Sequence, residues 1–203
     1  MIDVQEATIY LIRHGATGWN QTGRYLGHTN EPILEESYPV IDKLKTVADS
    51  LENPIVTSSD LLRCTQTASR LFPDTAIHFD HRLREMNFGD WEGKTKEDLK
   101  QNPDFDTWLY SFHESTIPNG EGAAEFSNRV LGWWTEYANR PDLLESSHVI
   151  VAHGGVIRVL MTHLTGTGLE TFWDWRIPHG TAIRLTLTKQ QDDYLASDWI
   201  RLP

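Results

Sequence analysis

Two short β-branched and apolar runs, residues 8–13 (TIYLIR) and 148–152 (HVIVA), each break off at a histidine followed by glycine, His14-Gly15 and His153-Gly154. Runs of that length and composition read as buried strands. A glycine just past the strand lets the backbone turn sharply and lets another group approach its amides. The rest of the chain alternates in the same manner. Residues 38–51 predict a helix, with Pro39 tolerated in the first turn and Ile41, Leu44, Val47, Ala48 and Leu51 on one face. Residues 54–57 predict a strand and 60–71 a helix, capped by Ser58 or Ser59 and stopped before Pro73. A third strand is expected at 76–79, helices at 123–139 and 156–164, and late strands at 181–188 and 194–201. Residues 102–122, rich in Pro, Gly, Asp and aromatics, read as an irregular excursion.

Alternating strands and helices argue for an α/β fold, a three-layer α/β/α arrangement with a mainly parallel central sheet. At 203 residues the chain fits one domain, 1–203, with a lid or insertion at about 94–122. Ligands in such sheets sit beyond the carboxyl ends of the strands. Both imidazoles are therefore expected to face one crevice.

The formal net charge of -11 argues against nucleic acid or an anionic membrane as partner, since both need a basic footprint. An anion site would have to come from concentrated arginine. Arg13 precedes the first histidine, and Arg63 falls in the first turn of the helix after the 54–57 strand. That helix start offers free N–H groups and the positive end of a dipole. Two arginines and two histidines at strand ends suit a phosphoryl group, because arginine binds its oxygens bidentately and stays charged. Positioning and charge supply most of the catalysis in phosphoryl transfer.

Four segments in order sharpen this: RHGATGWN (13–20), SSDLLRCTQTA (58–68), LREMNFGDWEG (83–93) and VAHGG (151–155). Together they resemble the signature motifs of the histidine phosphatase superfamily, with its phosphoglycerate-mutase-like fold. The resemblance implies His14 as a nucleophile that becomes a phosphohistidine. It implies Glu85 as the proton donor that later activates water. Arg13, Arg63 and His153 would clamp the phosphoryl oxygens, with Asn20 and the Gly154 backbone as further contacts. It implies no metal and no cofactor, and a small-molecule phosphate ester as substrate. The run after Glu85 and the modest spacing to His153 look like the small bacterial-type phosphatases, and GRYLGHTNEP (23–32) is similar to the α-ribazole-phosphate phosphatases among them. A cofactor-dependent mutase and a catalytically inactive phospho-ligand-binding module are the alternatives. Three features depart from the family pattern: Ala16 for a Glu or Gln, Ser37 for a glycine, and Pro39-Val40 for a Gln-Ala pair.

Rival chemistries are weaker. Cys64 to Arg70 has the spacing of a cysteine-dependent phosphatase, but the five residues between contain no glycine and lie in an expected helix. Nine histidines include no HExxH, and His78 and His81 lack a carboxylate cluster. His28, His113, His148, His163 and His179 read as ordinary surface or core residues, with His28 or His113 able to flank the pocket. Trp19, Tyr25, Trp91, Trp108, Tyr110 and Phe112 could stack on an aromatic leaving group or belong to core or lid. One cysteine, no transmembrane-length segment and an acidic first stretch (Asp3, Glu6) without a signal-peptide pattern fit a cytoplasmic protein, monomer or homodimer.

Overall fold

A computed structural model describes residues 6–190 and 193–203; residues 1–5, on which the signal-peptide reading partly rests, lie outside it. The strands are β1 (Glu6–Arg13), β2 (Ile55–Ser58), β3 (Ile77–Phe79), β4 (Ser147–Ala152), β5 (Ala182–Gln190) and β6 (Asp193–Leu202). The helices are α1 (Gly18–Gln21), α2 (Tyr38–Asp42), α3 (Lys45–Asp49), α4 (Leu62–Leu71), α5 (Lys96–Leu99), α6 (Pro103–Tyr110), α7 (Ala123–Ala138) and α8 (Gly154–Leu164). One sheet runs β3-β2-β4-β1-β5-β6, parallel from β3 to β1 and antiparallel through β5 and β6.

The period of two in the central strands divides the core. Ile9, Leu11, Ile150 and Ala152 face the cluster that holds α7 and α8, while Tyr10, Ile12, Val149 and Val151 face the cluster under α2 to α4. Phe126, Val130, Trp133, Trp134 and Tyr137 give α7 a continuous buried stripe at helical spacing. The expected three layers are thus present, with helices on both faces of a sheet that is mostly parallel.

Three expectations need correction. The stretch 38–51 forms two helices instead of one. The bonds Lys43 N to Val40 O and Leu44 N to Ile41 O tighten the chain between them, and Ile41, Leu44 and Ala48 still face the core. α4 begins at Leu62 and carries no serine cap. The N–H of Leu62 is taken by Asn30 Oδ1 at 2.7 Å, and the Ser59 hydroxyl is engaged by His153. Finally, the 102–122 stretch is not wholly irregular. Asn102 caps α6, Pro103 occupies its first position, and Phe105, Trp108 and Phe112 anchor the segment in the core.

Candidate active site

Parallel pairing sets Arg13 beside Ala152, so β1 and β4 release the chain side by side. His14 and His153 follow, with ring centroids 5.1 Å apart. Antiparallel pairing places the start of β5 at the same end, with Ile12 opposite Ala182. The N–H of Gly180 donates to the carbonyls of both Arg13 and His14, at 3.1 and 3.0 Å. That clamp brings His179 to 5.2 Å from His14, ring to ring. Gly180 has φ +72, and a Cβ there would press on Val40 and Ile41. Three neighbouring strands therefore deliver three histidines to one point.

His14 is 3% exposed, with Nδ1 2.7 Å from the Gly15 carbonyl. A carbonyl only accepts, so Nδ1 carries the proton and Nε2 keeps its lone pair. Burial first, then Arg63, His179 and Arg13, hold the His14 pKa well below the ordinary histidine value, against the Gly15 carbonyl that raises it. The imidazole is neutral at neutral pH. Gly15 itself is pinned: its N–H donates to Thr67 Oγ1 at 3.0 Å, and a Cβ would lie 2.6 Å from Ile41 Cδ1 and 2.8 Å from Ser37 Oγ. The unusual Ser37 and Val40 thus pack behind Gly15 and Gly180, outside the chemistry.

Arg63 is fully buried on the first turn of α4. Its Nη1 donates to Thr29 O, Nη2 to Gly27 O and Nε to His153 Nδ1, at 2.9, 2.6 and 3.2 Å. His153, also without exposure, reaches Ser59 Oγ through Nε2 at 2.9 Å. Both of its nitrogens are engaged within the protein. Arg13 donates through Nη1 to Ile177 O at 2.6 Å, but its Nε is buried without a partner among the described residues. Burial lowers the Arg13 pKa to about 10, with Glu85 opposing and Arg158 and Arg63 assisting. A Cβ on Gly154 would sit 3.1 Å from Arg13 Cζ, so glycine lets that guanidinium lie close over the start of α8.

A cleft of about 320 Å³ opens in front of this group, with Arg13, Asn20, Glu85, Gly155 and Arg158 at its polar end. Glu85 is 9% exposed. Its Oε2 accepts from Gly155 N and its Oε1 from Met86 N, both at 3.0 Å. The Glu85 carbonyl is held by His28 Nε2 and Arg129 Nη2, at 3.0 and 3.2 Å. A Cβ on Gly155 would fall 2.2 Å from Glu85 Oε1, so a side chain there would displace that carboxylate. The neighbouring carboxylates are committed elsewhere. Glu92 accepts from the N–H groups of Gly27, His28, Thr29 and Phe88, and Asp90 from Asn119. Asn20 uses its side-chain oxygen in the α1 capping box with Thr17, which leaves its amide hydrogens for the cleft.

Tyr25, Phe88, Trp108, Phe112, Phe172 and Trp173 form the apolar side of the cleft. Of the six aromatics singled out from sequence, Tyr25, Trp108 and Phe112 line it. Trp91 is buried core, Tyr110 is exposed, and the Trp19 ring lies against Gly93. His113 is exposed and away from the cleft, and His148 bonds Tyr137 Oη at 2.8 Å inside the fold. Cys64 lies within α4, and burial pushes its thiol up to about 12. Among the described residues no group of three or more His, Cys, Asp or Glu could hold a metal ion, and no helix is long and apolar enough to cross a membrane.

The sequence reading gives His179 as an ordinary surface or core residue and does not single out Arg158 or Arg24, both of which line the cleft. A signal existed for the first: His179-Gly180 is the third His-Gly pair, placed just before a strand. Arg158 lies one turn into α8, its Nε donating to Trp175 O at 3.0 Å and its guanidinium over Phe172 and Trp173.

The buried histidines make stability pH-dependent. The native pKa values of His14 and His153 are held low by burial, whereas the unfolded chain titrates near 6.5. Below pH 6.5 the unfolded state binds protons that the native state refuses, so stability falls as pH falls, by roughly 1.4 kcal/mol per histidine per pH unit. The urea midpoint should drop between pH 7 and 5.5; a midpoint that stays level or rises contradicts the burial of neutral imidazoles.

Comparison with known proteins points to one family. The model of the histidine phosphatase superfamily (branch 1) matches residues 9–198. The adenosylcobalamin/alpha-ribazole phosphatase of Escherichia coli (strain K12) is 30% identical over 179 residues, covering 85% of this chain and 86% of that one. The crystal structure of the alpha-ribazole phosphatase from Shigella flexneri superposes with a TM-score of 0.82 at 29% identity, over 93% of this chain and 94% of that one. Bacillus stearothermophilus YhfR gives a TM-score of 0.83 at 26% identity, over 94% and 95%. With a family match spanning nearly its whole length, this chain belongs to the histidine phosphatase superfamily, branch 1.

Proposed function

We propose that this chain is a phosphomonoesterase that hydrolyses a small phosphate ester through a phosphohistidine at His14, with α-ribazole 5'-phosphate, the type of ester named for its relatives, as a substrate. The observation that carries the reading is the fixed neutral tautomer of His14 between buried arginines, with Glu85 held in the adjoining cleft. The His14 Nε2 lone pair forms the N–P bond as the ester P–O bond breaks, and Glu85 gives a proton to the leaving oxygen. In the second step Glu85 takes a proton from water as that oxygen attacks phosphorus. The N–P bond then breaks, releasing inorganic phosphate and neutral His14. Arg13 offers its unpartnered Nε to the phosphoryl oxygens, and Asn20 its amide hydrogens. Gly154 offers its backbone at the positive end of α8. Arg63 keeps one N–H on each Nη beyond its internal bonds, and His153 holds that guanidinium in place. The α6 segment carries Trp108 and Leu109 over the cleft, in keeping with a lid role for about 94–122. The aromatic wall suits a leaving group with a planar ring. A single buried thiol fits a cytoplasmic setting.

One screen tests this: a panel of phosphomonoesters, α-ribazole 5'-phosphate and 3-phosphoglycerate included, with and without EDTA. Turnover should be highest for the aromatic ester and unchanged by EDTA, because the arginines supply the positive charge. Isomerisation of 3-phosphoglycerate would make the protein a mutase. Binding without turnover of any ester would make it a binding module, and activity lost on chelation and restored by one metal would overturn the mechanism.

A further inference from the structure

His179 has no role in the account so far, and its surroundings argue for one. It sits at the carboxyl end of β1, where Gly180 fastens the chain to the carbonyls of Arg13 and His14. Its ring lies 5.2 Å from that of His14. Its Nε2 is buried and has no hydrogen-bond partner among the described residues; the same holds for Arg13 Nε. Buried polar atoms are rarely left unpaired, because the desolvation they suffer is not otherwise recovered. Two such atoms on residues flanking one nucleophile call for a shared acceptor.

We propose that His179 is a catalytic residue whose Nε2 donates a hydrogen bond to a phosphoryl oxygen, beside Arg13 Nε, while that group moves onto and off His14. The inference rests on the phosphatase reading above. The contrast with His153 supports it. With Nδ1 receiving Arg63 Nε–H, the His153 proton is on Nε2 and directed at Ser59, so in this arrangement that imidazole has no N–H left for a phosphoryl oxygen. His179 has one. Burial, then Arg13, Arg63 and Arg158, lower its pKa to about 3, so the ring is neutral at neutral pH. The charged groups acting on it are all cationic, which favours an anionic acceptor beside it. The Gly180 clamp fixes the backbone next to His179, and Nε2 keeps its hydrogen-bonding capacity for a ligand.

The test uses vanadate as a phosphoryl mimic. His179→Ala should weaken vanadate inhibition about 10-fold or more, the scale for removing a hydrogen bond to a charged group, and should slow single-turnover phosphorylation by a similar factor. Thermal unfolding identifies any variant that has not folded. The wild-type protein gives an independent reading: the 15N resonance of His179 Nε2 should move when vanadate is added. An active, vanadate-sensitive wild type whose His179 resonance stays still, or a folded His179→Ala within 2-fold of it in both assays, overturns the role of His179 and leaves the phosphatase reading standing. A wild type that neither turns over esters nor binds vanadate removes both.

Discussion

His14→Ala should lose turnover of every phosphomonoester by roughly 10⁴-fold or more, the scale for deleting a covalent nucleophile. The variant should still fold, because the side chain removed is a neutral buried imidazole, while Gly15 stays tied through its N–H to Thr67 Oγ1 and Gly180 to the carbonyls of residues 13 and 14. Its unfolding should also become less sensitive to acid than that of the wild type, since one of the buried groups that resists protonation is gone. Cys64→Ser is the informative companion. Cys64 is the alternative nucleophile that the Cys64 to Arg70 spacing suggests, yet it is buried within α4 with its thiol pushed up to about 12. Activity within a few-fold of wild type is expected, although Sγ touches His153 Nε2 at 3.4 Å. Folded Cys64→Ser without activity, beside an active His14→Ala, would reverse the assignment.

Glu85→Gln should slow the phosphorylation of His14 by alkyl phosphates about 10²-fold or more, the usual contribution of a general acid. p-Nitrophenyl phosphate expels a phenolate that needs no proton, so its phosphorylation step should suffer much less. Single-turnover measurement is required, because Glu85 also serves the water step and would limit steady-state rates for every ester. The substitution keeps the shape of the side chain but puts an amide where one carboxylate oxygen now accepts from Gly155 or Met86. A purely positional role would therefore impair all esters alike. Equal losses for good and poor leaving groups would take Glu85 out of the acid role. Glu92 and Asp90 are poor substitutes, since their oxygens are already occupied by loop amides and by Asn119.

The parts of the molecule legible in the sequence are those with a strong period or a hard stop. β1 and β4 end at His-Gly as expected, and α7 ends within one residue of its expected limit. The meeting of His14 and His153 followed from one rule about where parallel strands present ligands. What escaped depends on contacts distant in sequence. Asn30 caps α4 from a loop 32 residues away, and no local pattern announces that. α6 was hidden because Asn102-Pro103, a good helix start, sits among residues that also make turns. His179 reads as an ordinary residue in the sequence because its strand runs antiparallel, so the histidine enters the site before the strand and not after it. The shortage of free N–H on His153 lies in side-chain geometry alone.

Rapid-quench trapping of the enzyme during turnover, followed by mapping of the phosphorylated residue, bears most directly on the central claim. A phosphoramidate on His14, labile in acid and stable in base, is the predicted result. A phosphoryl group that is base-labile and maps to a carboxylate, one that maps to Cys64, or turnover with no phosphoryl-enzyme at any quench time would contradict it.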